Sequence, residues 1–403
     1  MIRVIKNAKI FAPKYVGKAD VVFDNKIIHI GKDINPFFFP FEVEIYDASG
    51  LLLLPGLIDP HVHITGGGGE GGFETRTPEL KISDCIKNGI TTVIGCLGTD
   101  GVTRSLENLY AKAKALENEG LNTFIYTGSY RVPPVTFTGS VMRDMVLIDK
   151  VIGVGEIAIS DHRSSHPTFE EILRIVADAR VGGMISGKPG IVNFHVGAGR
   201  EGINYLFEII RNTEIPVQHL YPTHMNRSKW LFEQGLEFAS KGGVIDLTAL
   251  QPKYDEPCKG EFNTVDAIFK AYENELLRNI TISSDGQGSL PKFDEMGNFV
   301  GLDVGSVSSV WHTICKVVGK GLPLEEAIQV STINPAKVFR LNKGRVERGY
   351  DADFILVNEE NLEIVSVVSK IKARSRLFIC SFSLVHFLLN RRSGTRRSLA
   401  SVY

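Results

Sequence analysis

The chain has 403 residues, 43% of them hydrophobic, enough for one large core or two moderate ones, so disorder is not the default reading. With 45 basic residues against 46 acidic ones, the net charge of -1 excludes a general electrostatic footprint for nucleic acid or an anionic membrane and favours a small-molecule partner. Five scattered cysteines (Cys85, Cys96, Cys258, Cys315, Cys380) form no CxxC pair, no secretory h-region opens the chain, and no run approaches the ~20 apolar residues of a membrane helix; a cytoplasmic protein with buried thiols is expected.

In chain order, the first 49 residues carry short β-type runs, with 19–23 and 27–30 separated by Asp24-Asn25-Lys26 as a hairpin turn. From Leu57 onward, apolar runs alternate with amphipathic segments of helical length, the pattern of repeated βα units. The strands expected are Leu57 to Ile64, Thr91 to Leu97, Thr123 to Thr127, Gly153 to Ser160, Ile191 to Val196, Val217 to Thr223, Val244 to Leu250 and Ile280 to Ser284. Helices are expected at Ser105 to Glu119, Phe169 to Arg180, Lys229 to Ser240 and Thr264 to Leu277, each ending near Gly, Asn or a basic residue. Eight alternations favour a closed (β/α)8 barrel over an open doubly wound sheet. Two more helical stretches, Val307 to Val318 and Leu324 to Phe339, precede short β-type runs over Gly344 to Val367, so both chain ends are expected to combine into one small β domain. From Ser369 onward there are eight Lys or Arg and no acidic residue, and the apolar run Leu377 to Leu389 is too short to span a bilayer of ~30 Å.

The chemistry concentrates at strand ends. His61 and His63 stand two apart at the end of the first barrel strand, on one face, where both can reach one metal ion. Glu156 lies in the fourth strand, His195 near the end of the fifth, His224 just past the sixth and Asp285 just past the eighth. In a barrel, the C-terminal strand ends build the active site, which brings all six together. Four histidines and two carboxylates suit zinc or a similar divalent ion, and six donors exceed one tetrahedral shell, so two ions are the natural count. Beside a metal-activated water, Asp285 can also accept and deliver a proton. Gly66 to Gly69 and Glu70 follow the histidine pair as a loop whose backbone can approach a ligand closely. Arg163 and Arg227 follow the fourth and sixth strands, where each can grip a carboxylate. Thr99 and Tyr130 follow the second and third, and taken singly either could be a packing or loop residue.

The segment LIDPHVHITGGGGEGGFETRTPE (57–79), with GTDGVTRS, YTGSY, ISDHRS, YPTHMNRS, SSDGQGS, the NPA of Asn334 to Ala336 and GRVERGYDADFILV, resembles the isoaspartyl dipeptidase family of the amidohydrolase superfamily over roughly nine tenths of the chain. The resemblance implies a (β/α)8 barrel, here over 56–341, and a composite β-sandwich from 1–55 and 342–371, and leaves 372–403 as an atypical basic tail outside the pattern. It implies His61 and His63 as ligands of one zinc, His195 and His224 of the other, and Asp285 as ligand and proton shuttle. Glu70 would hold the substrate amino group, Tyr130 would polarise the scissile carbonyl, Arg163, Arg227 and Ser289 would hold carboxylates, and Gly68 and Thr99 would line the pocket. The implied reaction is hydrolysis of β-aspartyl dipeptides by a metal-bridging hydroxide in a homo-oligomer, often an octamer. Two alternatives remain open from the residues: opening of a cyclic amide such as a hydantoin or dihydroorotate, and a non-catalytic scaffold. One departure stands out, because Glu156 occupies the place where related proteins carry a carboxylated lysine bridging the metals. Glutamate reaches less far, and the adjoining Gly155, an extra residue relative to that pattern, is expected to form a compensating bulge. The tail is the second departure, lacking the Gly-containing closing strand of related proteins.

Overall fold

The computed structural model describes residues 2–253, 260–293 and 299–369. The chain opens with β1 (Arg3–Phe11), β2 (Tyr15–Phe23) and β3 (Ile27–Gly31), an antiparallel meander, and then adds β4 (Glu44–Asp47) and β5 (Leu51–Pro55) parallel to β1. The expected hairpin is there: Val21 pairs with Ile30, and Asp24 N–H donates to the Lys26 carbonyl at 3.1 Å across the turn.

Eight parallel strands follow: β6 (Leu57–Val62), β7 (Ile90–Gly95), β8 (Asn122–Thr127), β9 (Val151–Ile159), β10 (Ile191–Val196), β11 (Leu220–Thr223), β12 (Ile245–Thr248) and β13 (Ile280–Ser283). Strands β6 to β11 form one sheet in sequence order, and β12 pairs with β13. The seams are also hydrogen-bonded. Met225 N–H, just past β11, donates to the Asp246 carbonyl in β12 at 3.1 Å, and His63 N–H, just past β6, donates to the Gly286 carbonyl at 2.9 Å beyond β13. The parallel sheet therefore curls round until its last strand meets its first, as the count of eight leads one to expect. The expected sixth strand starts late, because 217–219 form a 3-10 turn.

Helices α1 (Ile82–Lys87), α2 (Leu106–Glu119), α3 (Val141–Leu147), α4 (Phe169–Ser186), α5 (Asn204–Asn212), α6 (Lys229–Ser240) and α7 (Thr264–Glu273) fall between the strands. Local signals set their ends. Ser105 caps α2 by accepting from Asn108 N–H, and Thr168 with Glu171 forms a reciprocal capping box on α4. Beyond β13, an antiparallel hairpin, β14 (Ser289–Phe293) with β15 (Phe299–Val304), was not foreseen. The chain continues through α8 (Ser308–Gly319), α9 (Leu324–Ala327) and α10 (Ile333–Val338) to β16 (Phe354–Asn358) and β17 (Ile364–Val368). The expected single helix from Leu324 to Phe339 is broken, since 328–331 tighten into a 3-10 turn and Thr332 leaves helical geometry.

Strand β16 pairs with β17 and with β5, so the two chain ends share one seven-stranded sheet. Strand alternation gives that sheet two buried faces. Leu53, Phe354 and Leu356 join Ile10 and Phe23 in a terminal cluster, while Leu52, Leu54, Ile355 and Val357 pack into the large core under the barrel helices. Inside the ring lies a third cluster that includes Ile94, Cys96, Tyr126, Tyr221 and Phe339. It floors the chamber beneath the strand ends. No helix among the described residues is long and apolar enough to cross a membrane. The basic tail, Cys258 and Cys380 lie outside the described residues; Cys85 and Cys96 are buried as expected, and Cys315 only partly.

Candidate metal centre and substrate cleft

The six expected donors meet at one end of the ring, around Glu156. Its Oε2 lies 3.4 Å from His61 Nε2, 2.9 Å from His195 Nδ1 and 3.7 Å from His224 Nε2, and its Oε1 lies 3.5 Å from His63 Nε2. Asp285 Oδ1 stands 3.1 Å from His63 Nε2 and 3.7 Å from His61 Nε2. Left-handed backbone just past the strands helps aim two of these side chains: His224 has φ 64° and Asp285 φ 50°, a conformation that costs energy outside glycine and recurs at functional sites.

Neighbouring groups hold the imidazoles in register. Asn193 Nδ2 donates to the Tyr221 carbonyl at 3.3 Å, which turns its Oδ1 toward His61 Nδ1 at 3.0 Å. The His61 proton is thereby fixed on Nδ1, and Nε2 presents its lone pair to the centre. His224 Nδ1 is held by Thr248 Oγ1 at 2.7 Å, leaving Nε2 facing Glu156.

The residues fit a pair of cations. Glu156 Oε1, Asp285 Oδ1 and His224 Nε2 are all buried with no hydrogen-bond partner, an arrangement that costs free energy unless a cation takes the lone pairs. Donors about 2.0–2.1 Å from one tetrahedral ion stand about 3.4 Å apart, close to most of the separations above. Three overlapping donor groups result: His61, His63, Cys96 and Glu156; His61, His224 and Asp285; and Glu156, His195 and His224. Glu156 belongs to two of them, which a bridging carboxylate requires. Burial alone would raise the Glu156 and Asp285 carboxyls, but the surrounding histidines outweigh it and hold both well below the ordinary range, ionised as ligands must be.

Local chain geometry lets a short glutamate do this. Between the pairs Val154–Val192 and Ile157–Phe194, two residues of β9, Gly155 and Glu156, face one residue of β10, Asn193: the expected bulge. A Cβ on Gly155 would sit 2.9 Å from Asn193 Cβ and from its carbonyl oxygen, so only glycine lets β9 approach β10 this closely.

A cleft of about 470 Å³ opens over the centre, and all seven expected substrate residues line it: Gly68, Glu70, Thr99, Tyr130, Arg163, Arg227 and Ser289. Glu70 receives the Thr99 hydroxyl at 3.1 Å and the Ser289 hydroxyl at 3.2 Å, with Arg163 Nη1 3.4 Å away. Arg163 and Arg227 each bring an Nη2 atom to His195 Nε2, at 3.2 and 3.3 Å. Tyr130 hydroxyl lies 2.8 Å from His195 Nδ1; burial first, then the Glu156 charge, raise its pKa well above the usual phenol value, so it remains a proton donor. The glycine loop approaches its own chain, for a Cβ on Gly68 would strike the Thr75 carbonyl oxygen at 2.2 Å.

Sequence reasoning missed several supporting residues. Asp161 receives Arg163 Nε at 3.0 Å and Nη2 at 2.9 Å while standing 3.2 Å from His195 Nε2; it lies within the ISDHRS motif, where only the arginine was singled out. Buried Arg104 holds the glycine loop through the carbonyls of Thr65, Gly67 and Thr77, the last two at 2.9 and 3.0 Å. Cys96 Sγ lies 3.6 Å from His61 Nε2 and 3.7 Å from His63 Nδ1. Its signal was the period of two that turns Ile94 inward on the same strand.

A profile of the amidohydrolase family matches residues 52–379, and the chain belongs to that family. Among solved structures, the β-aspartyl dipeptidase of the thermophilic, keratin-degrading Fervidobacterium islandicum AW-1, in complex with the β-Asp-Leu dipeptide, is 76% identical, with 92% of this chain and 95% of that one covered at a TM-score of 0.88. A dihydroorotase of Acetivibrio thermocellus is 25% identical over 413 residues, covering 93% of each chain. An adenine deaminase of Oceanobacillus iheyensis is 27% identical over 79% of this chain, which spans about half (48%) of that relative's length.

Proposed function

We propose that this protein hydrolyses the β-aspartyl bond of short dipeptides, with His61, His63, Glu156, His195, His224 and Asp285 holding two divalent ions, zinc by the chemistry of their donors. The observation that carries the reading is the 76% identity to a β-aspartyl dipeptidase that holds β-Asp-Leu. Bound divalent ions supply Lewis acidity and lower the pKa of a water from about 15.7 toward ~7. The chain's own side chains do the rest. Glu70, its oxygens steadied by Thr99 and Ser289, takes the substrate's free α-amino group. Arg163, braced by Asp161, and Arg227 grip the two carboxylates of a short aspartyl dipeptide, with Ser289 beside them. Tyr130, kept protonated, donates to the scissile carbonyl oxygen as negative charge develops there. Asp285, kept ionised, accepts the proton of the attacking water and returns it to the leaving amine.

Turnover of β-Asp-Leu, α-Asp-Leu and dihydroorotate by the zinc-loaded protein tests the reading. Cleavage of the β-linked dipeptide alone is expected. Opening of the cyclic amide alone would transfer the assignment to that chemistry, which a dihydroorotase relative at 25% identity keeps in view and for which Glu70 has no ammonium partner.

Residues 1–55 with 342–371 act in this reading as a composite β-sandwich beside the 56–341 barrel, the atypical basic segment 372–403 being outside the described residues. Contacts between the rings of Phe23 and Phe354, 5.3 Å apart on non-adjacent strands, support a sheet that folds over itself. A cytoplasmic location accords with the free thiols Cys85, Cys96 and Cys315. The family resemblance points to a homo-oligomer, which light scattering in solution checks.

A further inference from the structure

We infer that Cys96 is a thiolate ligand of the metal ion held by His61 and His63, a seventh donor that compensates for the short reach of Glu156. This rests on the reading of the site as a two-metal centre. Four observations lead to it. Cys96 is fully buried and free, just past the end of β7, which pairs with β6, the strand at whose end the histidine pair stands. Its sulfur stands 3.6 Å from His61 Nε2, and a sulfur about 2.3 Å and a nitrogen about 2.0 Å from one tetrahedral ion are about 3.5 Å apart. Cys96, His61, His63 and Glu156 can each offer one atom such that all four lie within 4.8 Å of one another. In the same group, Glu156 Oε1 is buried with no hydrogen-bond partner, an acceptor that neither the thiol nor the imidazoles satisfy.

Charge favours the same assignment. Two dications bring four positive charges to a donor set in which Glu156 and Asp285 supply two negative ones and the imidazoles none. A thiolate adds a third negative charge where water cannot screen the excess. Ligation replaces the S–H bond with an S–metal bond and releases that proton to solvent. The donor set of this ion is then two imidazoles, the Glu156 carboxylate and a thiolate, with the Asp285 carboxylate also beside both imidazoles, a borderline-soft shell that selects zinc, cobalt or cadmium over magnesium and manganese.

The test is absorption spectroscopy of the cobalt-loaded protein, with metal content measured on the same samples and turnover of β-Asp-Leu recorded beside it. A thiolate-to-cobalt charge-transfer band in the near ultraviolet is expected, lost in Cys96→Ser and kept in Cys315→Ser. Cadmium NMR of the unaltered protein gives the same information without any variant: one of two cadmium resonances should be strongly deshielded by sulfur. Two bound cobalt ions, active turnover and no charge-transfer band would overturn Cys96 ligation while leaving the dipeptidase reading intact. A protein that binds neither metal would overturn both.

Discussion

Asp285 combines an ionised carboxylate, a buried oxygen with no hydrogen-bond partner and a place at the cleft. Replacing it with asparagine keeps the shape and removes the basicity. Steady-state kinetics of Asp285→Asn should show kcat lower by about 10²- to 10⁴-fold or more, with the fold retained by circular dichroism. Near-full turnover would take Asp285 out of the proton-transfer role. In the proposed reading Glu70 would contribute differently, since an ammonium contact made equally in ground and transition states acts on KM. For Glu70→Gln, loss of a charge-assisted hydrogen bond of about 1.5–3 kcal/mol predicts KM for β-Asp-Leu raised about tenfold or more, with kcat changed much less. An unchanged KM would remove Glu70 from amine recognition. The gathering of the six candidate donors was legible from sequence because each is a polar residue within or just past an apolar strand, and barrel geometry brings such residues to one end. Asp161 and Cys96 were not. A carboxylate two residues before an arginine reads as a loop cap, and a cysteine after Ile94 reads as core, until the neighbouring strands show what faces it.

Among the elements, β9 carries the most consequence per residue, because its bulge sets the height of Glu156 over the histidines. Gly155→Ala forces a Cβ to within 2.9 Å of Asn193, which also orients His61. Overpacking of this kind costs about 1–3 kcal/mol, and the strand relieves it most easily by shifting the bulge. The expected outcome is a modest fall in melting temperature and a larger fall in bound metal per chain, measured by elemental analysis. Full metal occupancy in Gly155→Ala would show that the bulge does not set the bridge. The strand frame was readable because short continuous apolar runs recur eight times between segments of helical length. Helices α3 and α5 were not, being seven and nine residues long, and α5 has no side-chain cap at Ile203. The β14–β15 hairpin escaped for a related reason: Ser289–Phe293 contains Pro291 and borders Gly286 and Gly288, so nothing marks it as a strand until its partner is known.

Across the whole molecule, the sheet built from both chain ends meets the barrel through apolar packing and through Asn122 on Asp353, whose charge Lys343 balances. Lys343, 6% exposed, sits between Asp353 and Asp351, the latter at 2.9 Å. Asp353 also receives Asn122 Nδ2, at the start of β8, at 3.1 and 3.2 Å, so this cluster links barrel and terminal sheet. Lys343→Met preserves length and apolar contact but removes the cation that faces Asp353 and Asp351. Breaking a buried pair in this way predicts about 3 kcal/mol of destabilisation, visible as a lower urea midpoint. Because the cluster lies away from the cleft, kcat and KM for β-Asp-Leu should stay within about twofold at temperatures where the variant is folded. The pH dependence has a definite sign. Burial opposes the Lys343 charge, but the two aspartates outweigh it and raise its pKa above the ordinary 10.5. A raised lysine contributes stability that is fully present below its unfolded value and is lost as pH rises through its folded value. The gap in stability between the native protein and Lys343→Met should therefore be flat from about pH 6 to 9 and narrow only at pH above about 10.5. A gap already closing near neutral pH would mean that the lysine charge is not what holds the Asp351–Asp353 pair in place.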